Sequence, residues 1–196
     1  MEAGDVAEGK KNAARRKAHL VFVDESGFLL IPTLRRTWAR RGQTPRVYHR
    51  YRHDRYSVIS GISLSPVRKH VGLYFRCHRR NIRHLEVCGF LKHLLRHLRG
   101  PVTIVWDNLP VHKGPPIAEI KRRYPRLDIQ FLPPYAPELN PDEGVWANAK
   151  ARLANGRPDD FPALYQRLYS ALRGLRQSQP RLRRCFHQSE LPRPLF

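Results

Sequence analysis

Two short apolar runs, each stopping at an aspartate, constrain the fold of this chain most. Ala18-His19-Leu20-Val21-Phe22-Val23 ends at Asp24, and Val102-Thr103-Ile104-Val105-Trp106 ends at Asp107. Runs this short, continuous and β-branched read as strands buried on both faces. Residues 56–64 and 71–75 read as two neighbouring strands, and 127–132 as another, closed by Pro133-Pro134. A separate apolar run, 28–31, precedes Pro32. Over 84–99 the period changes. Val87, Leu91, Leu94, Leu95 and Leu98 share one helical face, and Gly100-Pro101 ends the pattern. Further helices are expected at 116–124, from Asn140-Pro141 to about 154, and from 158 to about 175. The order predicts an α/β fold, a mixed central sheet flanked by helices. Residues 1–17 read as a polar lead-in, 18–176 as one folded unit, and 177–196 as a loosely structured basic tail.

The charge narrows the function. Lys and Arg number 37 against 16 acids, a net +21 in 196 residues. That excludes an acidic regulator and argues against an enzyme of small metabolites. A field this positive attracts a polyanion, nucleic acid before an anionic membrane. Codon bias explains Arg over Lys but not base over acid. The three cysteines, Cys77, Cys88 and Cys185, have unrelated spacings, so a reducing compartment without disulfides is expected. No apolar run approaches the roughly 18 residues of a spanning helix, and no secretory leader is visible. The expectation is a cytoplasmic, bacterial, nucleoid-associated protein with no membrane partner.

With so few acids, their placement is informative. Asp24 and Asp107 are expected at strand ends, where sites form in open α/β sheets. Glu143 falls in the first turn of a helix, whose N-terminus favours the ionised carboxylate. If the strands are neighbours, three carboxylates converge. Hard oxygen donors of this kind suit Mg²⁺ or Mn²⁺. Two such ions, ringed by arginines, can clamp a phosphodiester. The alternative, that each acid only caps a turn, stays open on spacing alone.

The words around these residues are more specific. They are Val23-Asp24-Glu25-Ser26-Gly27-Phe28, then Val105-Trp106-Asp107-Asn108 with His112. A third block follows, Leu132-Pro133-Pro134-Tyr135-Ala136-Pro137-Glu138-Leu139-Asn140-Pro141-Asp142-Glu143, with Trp146 and Lys150 after it. Over about residues 15–152 the chain resembles the DDE catalytic domain of the mariner superfamily of transposases, its bacterial insertion-sequence branch above all. The 35 residues between Asp107 and Glu143 (108–142) match that branch.

The resemblance implies an RNase H-like fold, with Asp24, Asp107 and Glu143 as the catalytic, metal-binding triad for two Mg²⁺ or Mn²⁺ ions. It implies cleavage at transposon terminal inverted repeats and joining to target DNA, by a protein that is a dimer on DNA. Two departures stand out. Relatives carry a helix-turn-helix region ahead of this domain, whereas about 20 residues precede the first strand here. A separate helix-turn-helix polypeptide or a frameshifted fusion is therefore expected. Asp142 also stands where relatives carry an apolar residue, making it a register rival to Glu143.

Asn108, His112 and Asn140 are expected to support the site, Asn140 and Tyr135 by fixing the turn that aims Glu143. Glu25 should point to the opposite face of its strand from Asp24. Residues 35–55 carry eight Arg and one acid. They read as a basic hairpin contacting DNA through Arg35, Arg36, Trp38, Arg40 and Arg41. His84, Cys88, His93 and His97 lack the paired-cysteine pattern of a zinc site. Two alternatives remain: a nuclease of this fold without strand transfer, and a non-catalytic DNA-binding relic or regulator of an intact transposase.

Overall fold

The computed structural model describes residues 12–30, 38–43, 55–67, 70–154 and 160–191. Five strands form one sheet: β1 (His19–Leu29), β2 (Arg55–Leu64), β3 (Val71–His78), β4 (Val102–Trp106) and β5 (Leu127–Phe131). Their order is β3-β2-β1-β4-β5. The first three strands pair antiparallel, and β4 and β5 add in parallel beside β1. Parallel neighbours need a crossover. Helix α1 (His84–His97) carries the chain from β3 to β4, and α2 (Pro115–Arg123) from β4 to β5. Helices α3 (Asp142–Leu153), α4 (Phe161–Arg176) and α5 (Gln179–Gln188) follow.

Alternation along β1 builds two cores, one on each sheet face. Val21 and Val23 pack with Ile59 against Val87, Phe90 and Leu91 of α1 and Ile117 and Ile120 of α2. Leu20 and Phe22 pack with Val58 and Ile62 against Val145 and Trp146 of α3, Leu168 and Leu172 of α4 and Phe186 of α5. The result is a helix–sheet–helix sandwich with a mixed five-stranded sheet, the RNase H-like fold.

Two expectations change. The stretches 19–23 and 28–29 of the two apolar runs belong to one strand, so Asp24 lies within β1 rather than at its end. The cause is β2, which pairs with β1 from Leu20↔Leu64 to Leu29↔Arg55 and holds the polar stretch extended. The parallel pairing of β1 with β4, by contrast, runs only from His19↔Val102 to Phe22↔Val105. Relative to β4, Asp24 therefore lies just past the end of the ladder. The second change concerns the expected loose tail, which contains α5. Leu182, Cys185 and Phe186 form its apolar stripe and are buried, with Phe186 edge-on to Phe22 at 5.8 Å.

Helices α3 and α5 meet at Gly144. A Cβ there would lie 2.9 Å from Cys185 Cβ and 3.0 Å from Cys185 Cα. Gly→Ala in an open helix gains up to about 1 kcal/mol. Gly144→Ala is expected to reverse that sign and cost about 1–3 kcal/mol through overpacking, read as a lower urea midpoint. An unchanged or raised midpoint would contradict the close approach.

Candidate active site

The ends of the parallel strands open into a cleft of about 420 Å³ whose lining includes Asp24, Asp107, Asn108, Asn140 and Glu143. Asp24 comes from β1, and Asp107 is the first residue after β4. Glu143 comes from the first turn of α3. The three predicted carboxylates thus share one wall-to-wall site. Asn108 Nδ2 donates to the Leu132 carbonyl at 2.8 Å, tying the loop after β4 to the end of β5. Residues 133–137 then line the cleft. Tyr135 sits there with φ 56° and its side chain fully exposed. A 3-10 turn, Pro137–Leu139, leads to Asn140. Asn140 is buried, and its Oδ1 accepts from the Asp142 N–H at 3.1 Å, which starts the helix. That bond fastens the turn between Pro137 and α3. Tyr135 contributes its backbone conformation rather than side-chain packing.

Asp142 and Glu143 go opposite ways. Asp142 is fully buried under the sheet, and Ser60 Oγ donates to its Oδ1 at 2.7 Å. Burial, followed by the nearby Asp24 charge, pushes its carboxyl well above the usual range. Only Glu143 of the two lines the cleft.

The two aspartates differ electrostatically. Trp146 Nε1 donates to Asp24 Oδ2 at 2.8 Å. Burial nevertheless pushes Asp24 up to about 7, with Glu25 and Glu143 adding repulsion. Burial also works against a charged Asp107, but His112 and the Leu109 N–H outweigh it and hold that carboxyl below its ordinary value. His112 Nδ1 donates to Asp107 Oδ1 at 2.7 Å and its Nε2 to Glu25 Oε1 at 3.0 Å. Burial opposes the imidazolium, yet these two hydrogen bonds and carboxylate charges raise His112 to about 9. Glu25, on the face opposite Asp24 as strand alternation requires, is read from the sequence as a structural or supporting residue, and the structure gives it a definite partner in His112. The signal was its parity with the core residues Val21 and Val23.

These shifts set a stability–pH profile. Asp24 has a folded pKa near 7 against 3.8 unfolded, so the fold favours its protonated form and loses stability as pH rises between those values. His112 has a raised folded pKa as well. Its contribution is full below 6.5 and fades as pH rises through about 9. Asp107 acts oppositely, but only as pH falls below 3.8. Asp24 and the buried Asp142 lower the urea midpoint of the metal-free protein as pH rises from 4. His78 and His93, held below their usual value by burial, oppose them near pH 6.5. The readout is therefore the decline between about pH 7 and pH 9, which His112→Gln is expected to remove. A midpoint that rises across this window would contradict the assignment.

Among the described residues, no three His, Cys, Asp or Glu side chains are already arranged around one point as a metal site. The donor set nonetheless fits a hard divalent cation. Three carboxylates face one cleft, and the most buried of them, Asp24, is raised by desolvation and by two acidic neighbours. A cation is the counter-charge that this carboxylate lacks. The zinc-like spacing is otherwise engaged: His84 Nε2 meets the Lys113 carbonyl at 3.0 Å, and His97 Nδ1 the His93 carbonyl at 2.8 Å. Of the predicted DNA contacts, Trp38, Arg40 and Arg41 are exposed, Trp38 completely. Arg35 and Arg36 lie outside the described residues.

The family model for DDE superfamily endonucleases matches residues 19–164, spanning the sheet and all three carboxylates. The chain belongs to the DDE superfamily endonuclease family. Solved structures similar to this DDE chain are of the Mos1 mariner transposase. Its catalytic domain is matched with TM-score 0.57 and 13% identity, over 98% of this chain and 93% of that one. The Mos1 paired-end complex with left transposon end gives TM-score 0.61 and 16% identity, over 96% and 61%. The pre-cleavage Mos1 transpososome gives 0.62 and 16%, over 97% and 62%. The DDE chain thus spans about three-fifths of these longer transposase chains. Mos1 structures with Mn and with Mg are matched as well. No curated protein sequence matches significantly. No helix among the described residues is long and apolar enough to cross a membrane.

Proposed function

We propose that this chain is the catalytic domain of a DDE transposase, a divalent-metal-dependent DNA endonuclease and strand transferase acting at transposon ends. The observation that carries it is the convergence of Asp24, Asp107 and Glu143 on one cleft of a chain with net charge +21. The Mos1 complexes with transposon ends and with Mn or Mg support the substrate and the metal.

Asp24, Asp107 and Glu143 would hold two Mg²⁺ or Mn²⁺ ions. When bound, such ions polarise the phosphodiester and activate the attacking hydroxyl group. The chain's own residues prepare the site for this. His112 and the Leu109 N–H keep Asp107 ionised by hydrogen bonding. Trp146 fixes one oxygen of Asp24. Asn140 starts the helix that aims Glu143, and the positive helix end favours its charge. Trp38, Arg40 and Arg41, with Arg35 and Arg36, would track the flanking backbone. Cleavage and joining are both in-line substitutions at phosphorus, so one site serves water and then a liberated 3′-hydroxyl. Two transposon ends call for two sites, hence a dimer on DNA.

The test uses a pre-cut end carrying the element's terminal repeat and a supercoiled target, with Mn²⁺. Joined products are expected. Cutting without joining would reduce the protein to a nuclease, and neither activity with properly folded protein would favour a DNA-binding regulator.

A further inference from the structure

The backbone leaves a gap at the centre of the site. Pairing between β1 and β4 ends at Phe22↔Val105, and two residues later stand the aspartates, Asp24 still within β1 and Asp107 just past the end of β4. Past that point the two carriers are tied to opposite sides. Asp24 stays paired to Ser60 of β2. The β4 end is tied to β5 through the Leu132 N–H to Trp106 carbonyl bond, 2.7 Å, and the Asn108–Leu132 bond. Among the described residues, His112 spans this gap, 2.7 Å from Asp107 and 3.0 Å from Glu25.

We propose that Glu25 and His112 are positioning residues whose hydrogen-bonded bridge takes over from the ended β1–β4 ladder and sets the separation of the Asp24 and Asp107 carboxylates. The inference rests on the reading of those residues as metal ligands. Three observations carry it. First, the bridge is rigid. The His112 ring is fully buried and lies flat on the Trp106 indole, centroids 4.4 Å apart and planes 4° apart. Second, it is directional. Carboxylate oxygens only accept, so both ring nitrogens donate, one to each wall of the gap. Both hydrogen bonds to the Asp107 side chain, from His112 and from the Leu109 N–H, land on Oδ1 and leave Oδ2 for the cleft. Third, Glu25 is held at a cost to stability. Its Oε2 is buried with no partner among the described residues. A side chain selected for packing alone would not leave a carboxylate oxygen in that state. Groups that orient metal ligands in this way typically change metal affinity or activity by about ten- to a hundred-fold when lost.

The test is Mn²⁺ binding by the whole chain, followed as the loss of the free-ion electron paramagnetic resonance signal, alongside Mn²⁺-dependent DNA nicking. Glu25→Ala is expected to weaken Mn²⁺ binding about ten- to a hundred-fold and to raise the half-saturating Mn²⁺ for nicking equally. The rate at saturating Mn²⁺ should stay within a few-fold. Glu25→Gln keeps an acceptor for Nε2 and is expected to restore most of the affinity. If Glu25→Ala does not fold, Glu25→Asp, one methylene too short to reach His112, carries the same expectation. A folded Glu25→Ala or Glu25→Asp protein with wild-type Mn²⁺ affinity would overturn the bridge, as would Glu25→Gln binding as poorly as Glu25→Ala. Asp107→Asn separates the two readings. If it still binds Mn²⁺ and nicks DNA, the metal-ligand reading falls. If it is inactive while Glu25→Ala behaves as wild type, the bridge alone falls.

Discussion

Asp107→Asn is expected to lower Mn²⁺-dependent DNA cleavage by about 10³-fold or more, which is about 4 kcal/mol of barrier at 1.36 kcal/mol per decade. The amide preserves shape and can still accept from His112 and the Leu109 N–H at Oδ1. What it removes is the anionic oxygen offered to the cleft. Folding should persist, because Asp107 follows β4 and the strand itself is held by buried Val102, Ile104 and Trp106. DNA binding should persist too, since the net +21 is hardly altered by one acid. Gel-based nicking, a melting curve and a filter-binding titration on the same preparation separate these three quantities. Cleavage at the wild-type rate in a folded variant would contradict the role given to Asp107.

The adjacent acids at the start of α3 provide the second large contrast. Glu143→Gln is expected to lower cleavage by a similar factor of about 10³, with little change in stability, because the side chain lines the cleft. Asp142→Asn is expected to leave cleavage within a few-fold. Asp142 is fully buried beneath the sheet, its fold already favours the neutral carboxyl, and asparagine supplies a neutral group of the same shape. Asp142→Ala instead leaves the Ser60 hydroxyl without its acceptor and opens a cavity, costing about 2–4 kcal/mol in urea unfolding. If Asp142→Asn abolished cleavage and Glu143→Gln did not, the register of the third carboxylate would be wrong by one residue.

Much of this arrangement is legible from the chain. The 102–106 run and the helical period over 84–99 become β4 and α1 because continuous apolar runs and 3.6-residue stripes are properties of local sequence. Local pattern also marks Asn140 and Glu143, since a helix start declares itself within a few residues. Other features depend on partners far along the chain. The polar stretch Asp24-Glu25-Ser26 is a strand only because β2 pairs along its whole length. The His112–Glu25 contact joins positions 87 residues apart. Its only trace in the sequence is the two-residue period that puts Glu25 on the face of Val21 and Val23. Helix α5 was legible in principle, since Leu182, Cys185 and Phe186 fall at helical spacing. A high density of Arg around them hid the stripe.

The cation is the centre of the functional account, so the most direct measurement is the crystal structure of the protein soaked in Mn²⁺, with diffraction recorded at the manganese edge. The account predicts anomalous density in the cleft within coordination distance of Asp24, Asp107 and Glu143. Ordered side chains at all three positions with manganese bound elsewhere, or with the cleft empty at saturating Mn²⁺, would contradict it.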